Sequence, residues 1–143
     1  MKFENYMILE FPSKSSNEAF ARSAVSCFAA QMDPTIEELG DIRTAVSEAV
    51  TNAIVHGYPN GLGLITLRCR ILKDNMLDIV IKDRGVGIAD IDQARMPMYT
   101  TGGNDRSGMG FTIMESFMTE LEISSASGKG TTVHMRRRIA RRQ

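Results

Sequence analysis

Glu48-Ala49-Val50-Thr51-Asn52-Ala53-Ile54-Val55-His56-Gly57 is the stretch from which the rest of the chain is read. Glu48, Asn52 and His56 are four residues apart, so on a helix they line one edge. Ala45, Ala49 and Ala53 run beside that edge, and their small side chains let the helix sit close to a sheet. Upstream, Asp33-Pro34 reads as an N-cap followed by the first helical residue, and the helix is expected from about Thr35 to His56 with Gly57 as its stop. A carboxylate and an amide one turn apart can do paired chemistry. Asn52 offers a hard oxygen to Mg²⁺, and Glu48 can accept the proton of an attacking hydroxyl. The same spacing also describes a solvated polar stripe on an amphipathic helix, so other segments must decide. His56 is expected to interact with the final helix carbonyls rather than to ligate a metal.

Downstream, Leu64–Leu72 and Leu77–Asp83 read as two strands of a hairpin joined by Lys73-Asp74-Asn75. The second is almost continuously apolar (Leu77, Ile79, Val80, Ile81), which predicts a central strand buried on both faces. It ends in Asp83-Arg84-Gly85-Val86-Gly87. A carboxylate there can accept a hydrogen bond from the adenine amino group and would repel the guanine carbonyl, which favours ATP over GTP. Gly85 and Gly87 are expected to leave room for a base; an ordinary strand-end turn has the same composition. Residues 89–107 have little apolar periodicity, and connections of that length are usually functional. Ser107-Gly108-Met109-Gly110-Phe111 then opens a helix to about Met118, where unpaired N–H groups and glycines can hold phosphates. Arg106 stands next to that loop. The pattern is neither a P-loop nor a dinucleotide fingerprint.

Tyr6–Phe11, Glu120–Ser125 and Thr131–Arg138 complete the strands, with Ser127-Gly128-Lys129-Gly130 between the last two. An early helix is expected from the Ser15/Glu18 capping-box spacing and the series Phe20, Ala24, Phe28, Met32 with Ala21 and Val25 beside it. The order β-α-α-β-β-loop-α-β-β predicts one α+β domain over 1–143, a two-layer sandwich with helices on one face of a mixed, mostly antiparallel sheet.

Composition narrows the function classes. The 143 residues carry 17 basic and 17 acidic side chains, so no global field draws the chain to DNA or to a membrane. No apolar run is long enough to span a bilayer, and Met1–Tyr6 lacks the features of a secretory signal. Cys27 and Cys69 lack metal-ligand spacing and are expected to be reduced, partly buried thiols, which points to the cytoplasm. Met96, Met98, Met109, Met114 and Met118 cluster around the glycine loop, where core filling is the default and a movable or partner-binding surface the sharper reading. Arg136-Arg137-Arg138 and Arg141-Arg142 read as a solvated strand end and terminus, without the aromatic interleaving of a nucleic-acid patch.

Taken together, the Glu48/Asn52 helix, the Asp83-x-Gly85-x-Gly87 turn, the Gly108-x-Gly110 loop and Gly130-Thr131-Thr132 resemble the N box and the three glycine boxes of the GHKL ATPases, which include gyrase and the histidine kinases. Within that superfamily Glu48–Ala53, Ser107–Glu115 and Gly128–Val133 look like the anti-sigma factor kinases of endospore-forming bacteria, as do Asn17–Arg22 and Asp33-Pro34-Thr35. The resemblance implies a Bergerat ATP-binding fold and a homodimer that inhibits a sporulation sigma factor of the F type. It also implies a serine kinase that uses MgATP on an anti-anti-sigma partner with a STAS domain. Under it, Glu48 is the general base, Asn52 the magnesium ligand, Asp83 the adenine-reading group with Gly85 and Gly87 beside it, and Thr131 a neighbour of adenine. Thr101, Arg106, Ser107, Gly108, Met109 and Gly110 fall in or after a lid over the phosphates, and Arg22 matches a partner-contacting position. The lid segment Gly102-Gly103-Asn104-Asp105 is shorter and less charged than is usual in that family. A stress-response switch kinase shares every nucleotide motif. A nucleotide-gated binding module without phosphoryl transfer is a further alternative, and Glu48 argues against it. A histidine-kinase catalytic domain would be expected to follow a dimerisation helix pair with a phosphoacceptor histidine, which the sequence lacks.

Overall fold

Alternation along the strands sorts the sheet into rows. A computed structural model describes residues 3–96 and 110–140. Its strands are β1 (Phe3–Pro12), β2 (Leu64–Leu72), β3 (Met76–Asp83), β4 (Glu120–Ser125) and β5 (Thr131–Arg138), arranged β1-β2-β3-β5-β4. Leu9, Leu67, Ile81, Val133 and Ile123 are successive partners across the sheet and form one row. The parallel row below is Met7, Cys69, Ile79, Met135 and Leu121. Above it lies Phe11, Ile65, Asp83, Thr131 and Ser125, apolar at one end and polar at the other.

These rows face a helical layer: α1 (Asn17–Ala29), α2 (Ile36–Asn52), the short α3 (Ile91–Ala94) and α4 (Gly110–Phe117). Ala21, Val25 and Ala29 of α1 and Ile42, Ala45, Val46, Ala49 and Val50 of α2 are buried in the core. Met114 and Met118 are buried there too, which is the core-filling reading of those methionines; Met96 is exposed, and Met98 and Met109 lie outside the described residues. The two-layer α+β arrangement is as expected, with one difference: every described pairing is antiparallel rather than mixed.

Several local expectations shift. The capping box belongs to α2. The Thr35 hydroxyl accepts the Glu38 N–H at 3.0 Å, and the Glu38 carboxylate accepts the Thr35 N–H at 2.8 Å. Asp33, expected to be the cap, instead takes a left-handed conformation (φ 54°) and closes the short 3-10 turn Ala30–Met32 after α1, its N–H donating to the Ala30 carbonyl at 3.1 Å; Thr35 caps α2 in its place. Ser15 makes no box with Glu18; α1 starts after Ser16 with no side-chain cap. Phe20 faces outward while Ala21, Val25 and Ala29 form the buried stripe.

β3 is central, but only one of its faces meets helices. On the other face Tyr6, Arg70, Asp78, Arg136 and Glu120 form a row. Asp78 is fully buried there without apolar cover, enclosed by Arg136 Nε at 2.8 Å, Arg70 Nη2 at 3.2 Å, Arg68 Nη2 at 3.7 Å and the His134 ring. Burial alone would raise its carboxyl; the hydrogen bonds from His134, Arg136 and Arg70 outweigh it and hold it below the ordinary aspartate value. The expectation of a merely solvated Arg136–Arg138 strand end is corrected by this register. Arg136 serves Asp78, and Arg137 Nη1 donates to Asp41 Oδ2 at 2.8 Å and to the Phe117 carbonyl at 2.6 Å. Arg141 and Arg142 lie outside the described residues. Both cysteines are free; Cys69 is buried, but Cys27 is exposed rather than partly buried, because α1 turns it away from the core. Among the described residues no helix is long and apolar enough to cross a membrane.

Candidate nucleotide-binding site

The helix α2 does not stop at Asn52. It widens into a π-helical turn over Ala53–Gly57, an irregularity frequent at functional sites. The turn brings Gly57 against the end of β3. A side chain at Gly57 would come within 2.9 Å of the Asp83 carboxyl carbon, and one at Gly85 would lie 1.8 Å from the Gly57 carbonyl oxygen. The Gly57 carbonyl in turn accepts the Val86 N–H at 2.9 Å. Gly85 and Gly87 were expected to make room for a base. A side chain at either would meet protein backbone, Gly57 for Gly85 and the Ala126 carbonyl for Gly87 at φ 76°; of the two, Gly87 also lines the neighbouring cavity. Both glycines therefore lace the turn after Asp83 to its surroundings, α2 on one side and the β4–β5 hairpin on the other.

Between these elements lies a cavity of about 410 Å³. Ala49, Asn52, Ala53, His56 and Gly57 of α2 form one wall. Ile81, Asp83, Thr131 and Val133 of the sheet form the floor. Val86, Gly87 and Ile88 lie on one rim, Gly110 and Phe111 on another. The lining is mostly apolar with a few convergent polar groups, as suits a flat heterocycle. His56 was expected only at the helix end; it also lines this space.

Asp83 is the most deeply buried carboxylate facing the cavity, only 5% exposed. Burial pushes its carboxyl above the ordinary value, opposed by the backbone N–H groups of Gly85 and Thr131. Gly85 N–H donates to Oδ1 at 2.9 Å. Thr131 is its direct partner on β5, so register alone places the two residues side by side. A hydroxyl not singled out in the sequence completes this corner. Ser125 Oγ accepts the Ile88 N–H at 2.8 Å and lies 2.8 Å from both the Gly130 carbonyl and Thr131 Oγ1. Only its strand-end position opposite Thr131 signals it in the sequence.

At the far end, a side chain at Gly110 would lie 3.0 Å from the Asn52 amide nitrogen and 3.3 Å from Glu48 Oε2. The start of α4 thus faces the Glu48/Asn52 edge of α2. Asn52 lines the cavity; Glu48, one turn earlier, lies just beyond its wall and is half-buried. Asn52 precedes Gly57 by five residues and Glu48 by nine, about 7 and 13 Å along the helix axis from the Asp83 end. Among the described residues no cluster of three His, Cys, Asp or Glu side chains could hold a metal by itself. Magnesium bound to a nucleotide needs none, since it takes one or two protein oxygens and completes its shell with phosphate and water. Asn52, on the cavity wall, carries a side-chain oxygen of the hard kind that magnesium takes. Thr101, Arg106, Ser107, Gly108 and Met109 lie outside the described residues. Arg22 is not among the residues that line the cavity; it pairs with Glu18 at 3.5 Å along α1.

The model of the histidine kinase-like ATPase domain matches residues 11–137. The chain is 55% identical over 142 residues to an anti-sigma F factor of Caldanaerobacter subterraneus subsp. tengcongensis, with 99% of each chain covered. It belongs to the histidine kinase-like ATPase family, among the anti-sigma F factors. An anti-sigma F factor of Geobacillus thermodenitrificans is 52% identical over 141 residues, covering 96% of this chain and 94% of that one. Among solved structures, the RsbU and RsbW domains of a Mycobacterium tuberculosis protein superpose with a TM-score of 0.71 at 21% identity, over 96% of this chain and 33% of theirs, a likeness of fold. Membership of an ATPase family makes ATP the ligand implied for the cavity, and kinship with the anti-sigma F factors supports an anti-sigma role.

Proposed function

We propose that this histidine kinase-like ATPase domain binds and inhibits a sporulation sigma factor of the F type, and that with MgATP it phosphorylates a serine of a STAS-domain anti-anti-sigma partner. The carrying observation is the placement of Glu48 just past the end of a cavity whose other end is Asp83, with Gly110 closing on Glu48 and Asn52. Adenine fits at the Asp83 end, where the carboxylate accepts from the exocyclic amino group and Thr131 and Ser125 shape the corner. The phosphates then run along α2 toward the start of α4, where N–H groups favour negative charge. Asn52 would hold Mg²⁺ through its carbonyl oxygen, and the ion supplies charge neutralisation on the phosphates. A serine hydroxyl reaching the terminal phosphate comes within the domain of Glu48. Glu48 takes the hydroxyl proton as the serine oxygen bonds to phosphorus, and the bond to the leaving oxygen of ADP breaks.

In this reading Thr101, Arg106, Ser107, Gly108 and Met109 also take part in binding the nucleotide. Arg22 contacts the protein partners from α1, and the working unit is a cytoplasmic homodimer with no direct hold on DNA or membrane. The test is to incubate the protein with γ-labelled MgATP and a purified STAS-domain anti-anti-sigma factor. Label on a serine of the partner is the expected result. ATP binding with no label on any serine overturns the kinase reading and leaves a nucleotide-gated binding module. Equal inhibition of stress-response and sporulation sigma factors in a transcription assay overturns the assignment to the F type.

A further inference from the structure

The strands β2 and β3 are paired as far as Ile65 and Asp83. The next facing residues in that register are Leu64 and Arg84, and they do not bond to each other. The hydroxyl of Tyr58 stands between them. It donates to the Leu64 carbonyl at 2.7 Å and accepts the Arg84 N–H at 2.6 Å. A phenol thus occupies the place of the next rung of the ladder. The consequence lies in the turn that follows. The N–H of Arg84 goes to Tyr58, that of Gly85 to the Asp83 carboxylate at 2.9 Å, and that of Val86 to the Gly57 carbonyl at 2.9 Å. Three consecutive donors are held, two of them by the adjacent residues Gly57 and Tyr58 at the end of the α2 π-turn.

The ring itself has a built seat. A side chain at Gly63 would come within 2.2 Å of the Tyr58 ring. Gly63 is pinned in turn to Ser13, which is buried: its N–H donates to Ser13 Oγ at 3.0 Å and its carbonyl accepts the Ser13 N–H at 2.8 Å. The phenol therefore connects three things that must agree in position: the end of α2, the start of β2 and the first peptide after Asp83.

We propose that Tyr58 is a positioning residue for base recognition, its hydroxyl setting the direction in which the Arg84–Val86 turn leaves the sheet and so the aim of the Asp83 carboxylate. The inference rests on Asp83 as the group that meets the base. Without the hydroxyl, the Arg84 N–H and Leu64 carbonyl close on each other or turn to water, and the turn that fixes Asp83 Oδ1 through Gly85 moves with them.

Tyr58→Phe keeps the ring and removes only the hydroxyl. Two readouts apply. In nucleotide-free protein, amide exchange at Arg84 should speed up by about tenfold, the value of one net hydrogen bond. In calorimetric titrations with magnesium present, the preference for ATP over GTP should fall by about threefold or more. Gly63→Ala, which pushes the ring from its seat by a different route, should reduce the same preference. A lowered melting temperature with Arg84 exchange and the nucleotide preference both unchanged means a merely structural tyrosine and overturns the proposal. A parent protein that does not distinguish ATP from GTP refutes the Asp83 reading before any variant is made, and the role of Tyr58 falls with it.

Discussion

Asp83→Asn inverts the hydrogen-bonding character of one oxygen in the floor of the cavity while leaving its volume unchanged. Asp83 Oδ1 already accepts the Gly85 N–H at 2.9 Å. In the variant the amide oxygen is drawn to that donor, so the NH₂ group takes the position of Oδ2. If Asp83 reads adenine as proposed, an acceptor for the adenine amino group becomes a donor at the same place. ATP loses a hydrogen bond to a charged acceptor, about 1.5–3 kcal/mol, or about ten- to hundredfold in Kd. GTP, whose carbonyl the aspartate repels, gains, and the preference should reverse. Stability should not fall in parallel. Burial pushes the Asp83 carboxyl above its ordinary value, so folding makes its charged form less favourable than it is in the unfolded chain. This group detracts from stability above its folded-state value, the penalty is relieved as pH falls from there toward the unfolded value of 3.8, and asparagine removes it at neutral pH. Titration calorimetry of parent and variant with both nucleotides, paired with thermal melting, reads both effects. An unchanged ratio of ATP to GTP affinity in the variant would refute the reasoning, whatever happens to the absolute affinities.

Glu48→Gln should retain ATP binding within about twofold, since Glu48 is off the cavity wall, and should lose phosphoryl transfer by about a hundredfold or more in a single-turnover assay; undiminished transfer removes it from the base role. Asp78→Ala leaves Arg68, Arg70, Arg136 and His134 facing one another around a vacated carboxylate and should destabilise by about 3 kcal/mol in urea unfolding, the low end for a broken buried pair because the arginines are partly in water. Because the Asp78 carboxyl is held low in the folded protein, its contribution is present above the unfolded value of 3.8 and lost as pH falls below it; the parent should show that acid loss and Asp78→Ala should show less of it. Maleimide labelling near pH 8 should modify Cys27 promptly and Cys69 only on unfolding, because burial, aided by the Asp78 charge, pushes the Cys69 thiol up to about 12. Equal labelling of both in the native protein would contradict the packing of β2.

Periodicity was enough to define much of this molecule. The bounds of β2, β4 and β5 follow from alternation between turn-forming clusters, and α2 from its apolar stripe and its glycine stop. Glu48 and Asn52 share an edge because helical spacing requires it, and Asp83 ends an apolar strand wherever that strand is placed. These are short-range properties, in which each residue's neighbours along the chain decide its conformation.

What remained hidden depends on partners far away in sequence. Thr131 and Ser125 become neighbours of Asp83 only through the register of β3, β5 and β4, which no local pattern specifies. Gly85 resembles a ligand-clearing glycine until the π-turn of α2 brings the Gly57 carbonyl to where its side chain would be. The arginines of β5 look like a solvated end until pairing sets Asp78 opposite Arg136. Tyr58 gives no sign of its role until two strands end on either side of its hydroxyl. The sequence by itself determined which groups could handle a nucleotide. Tertiary structure decided which of them meet, because strand register and helix-end geometry are settled by packing of the whole core and not by any one segment.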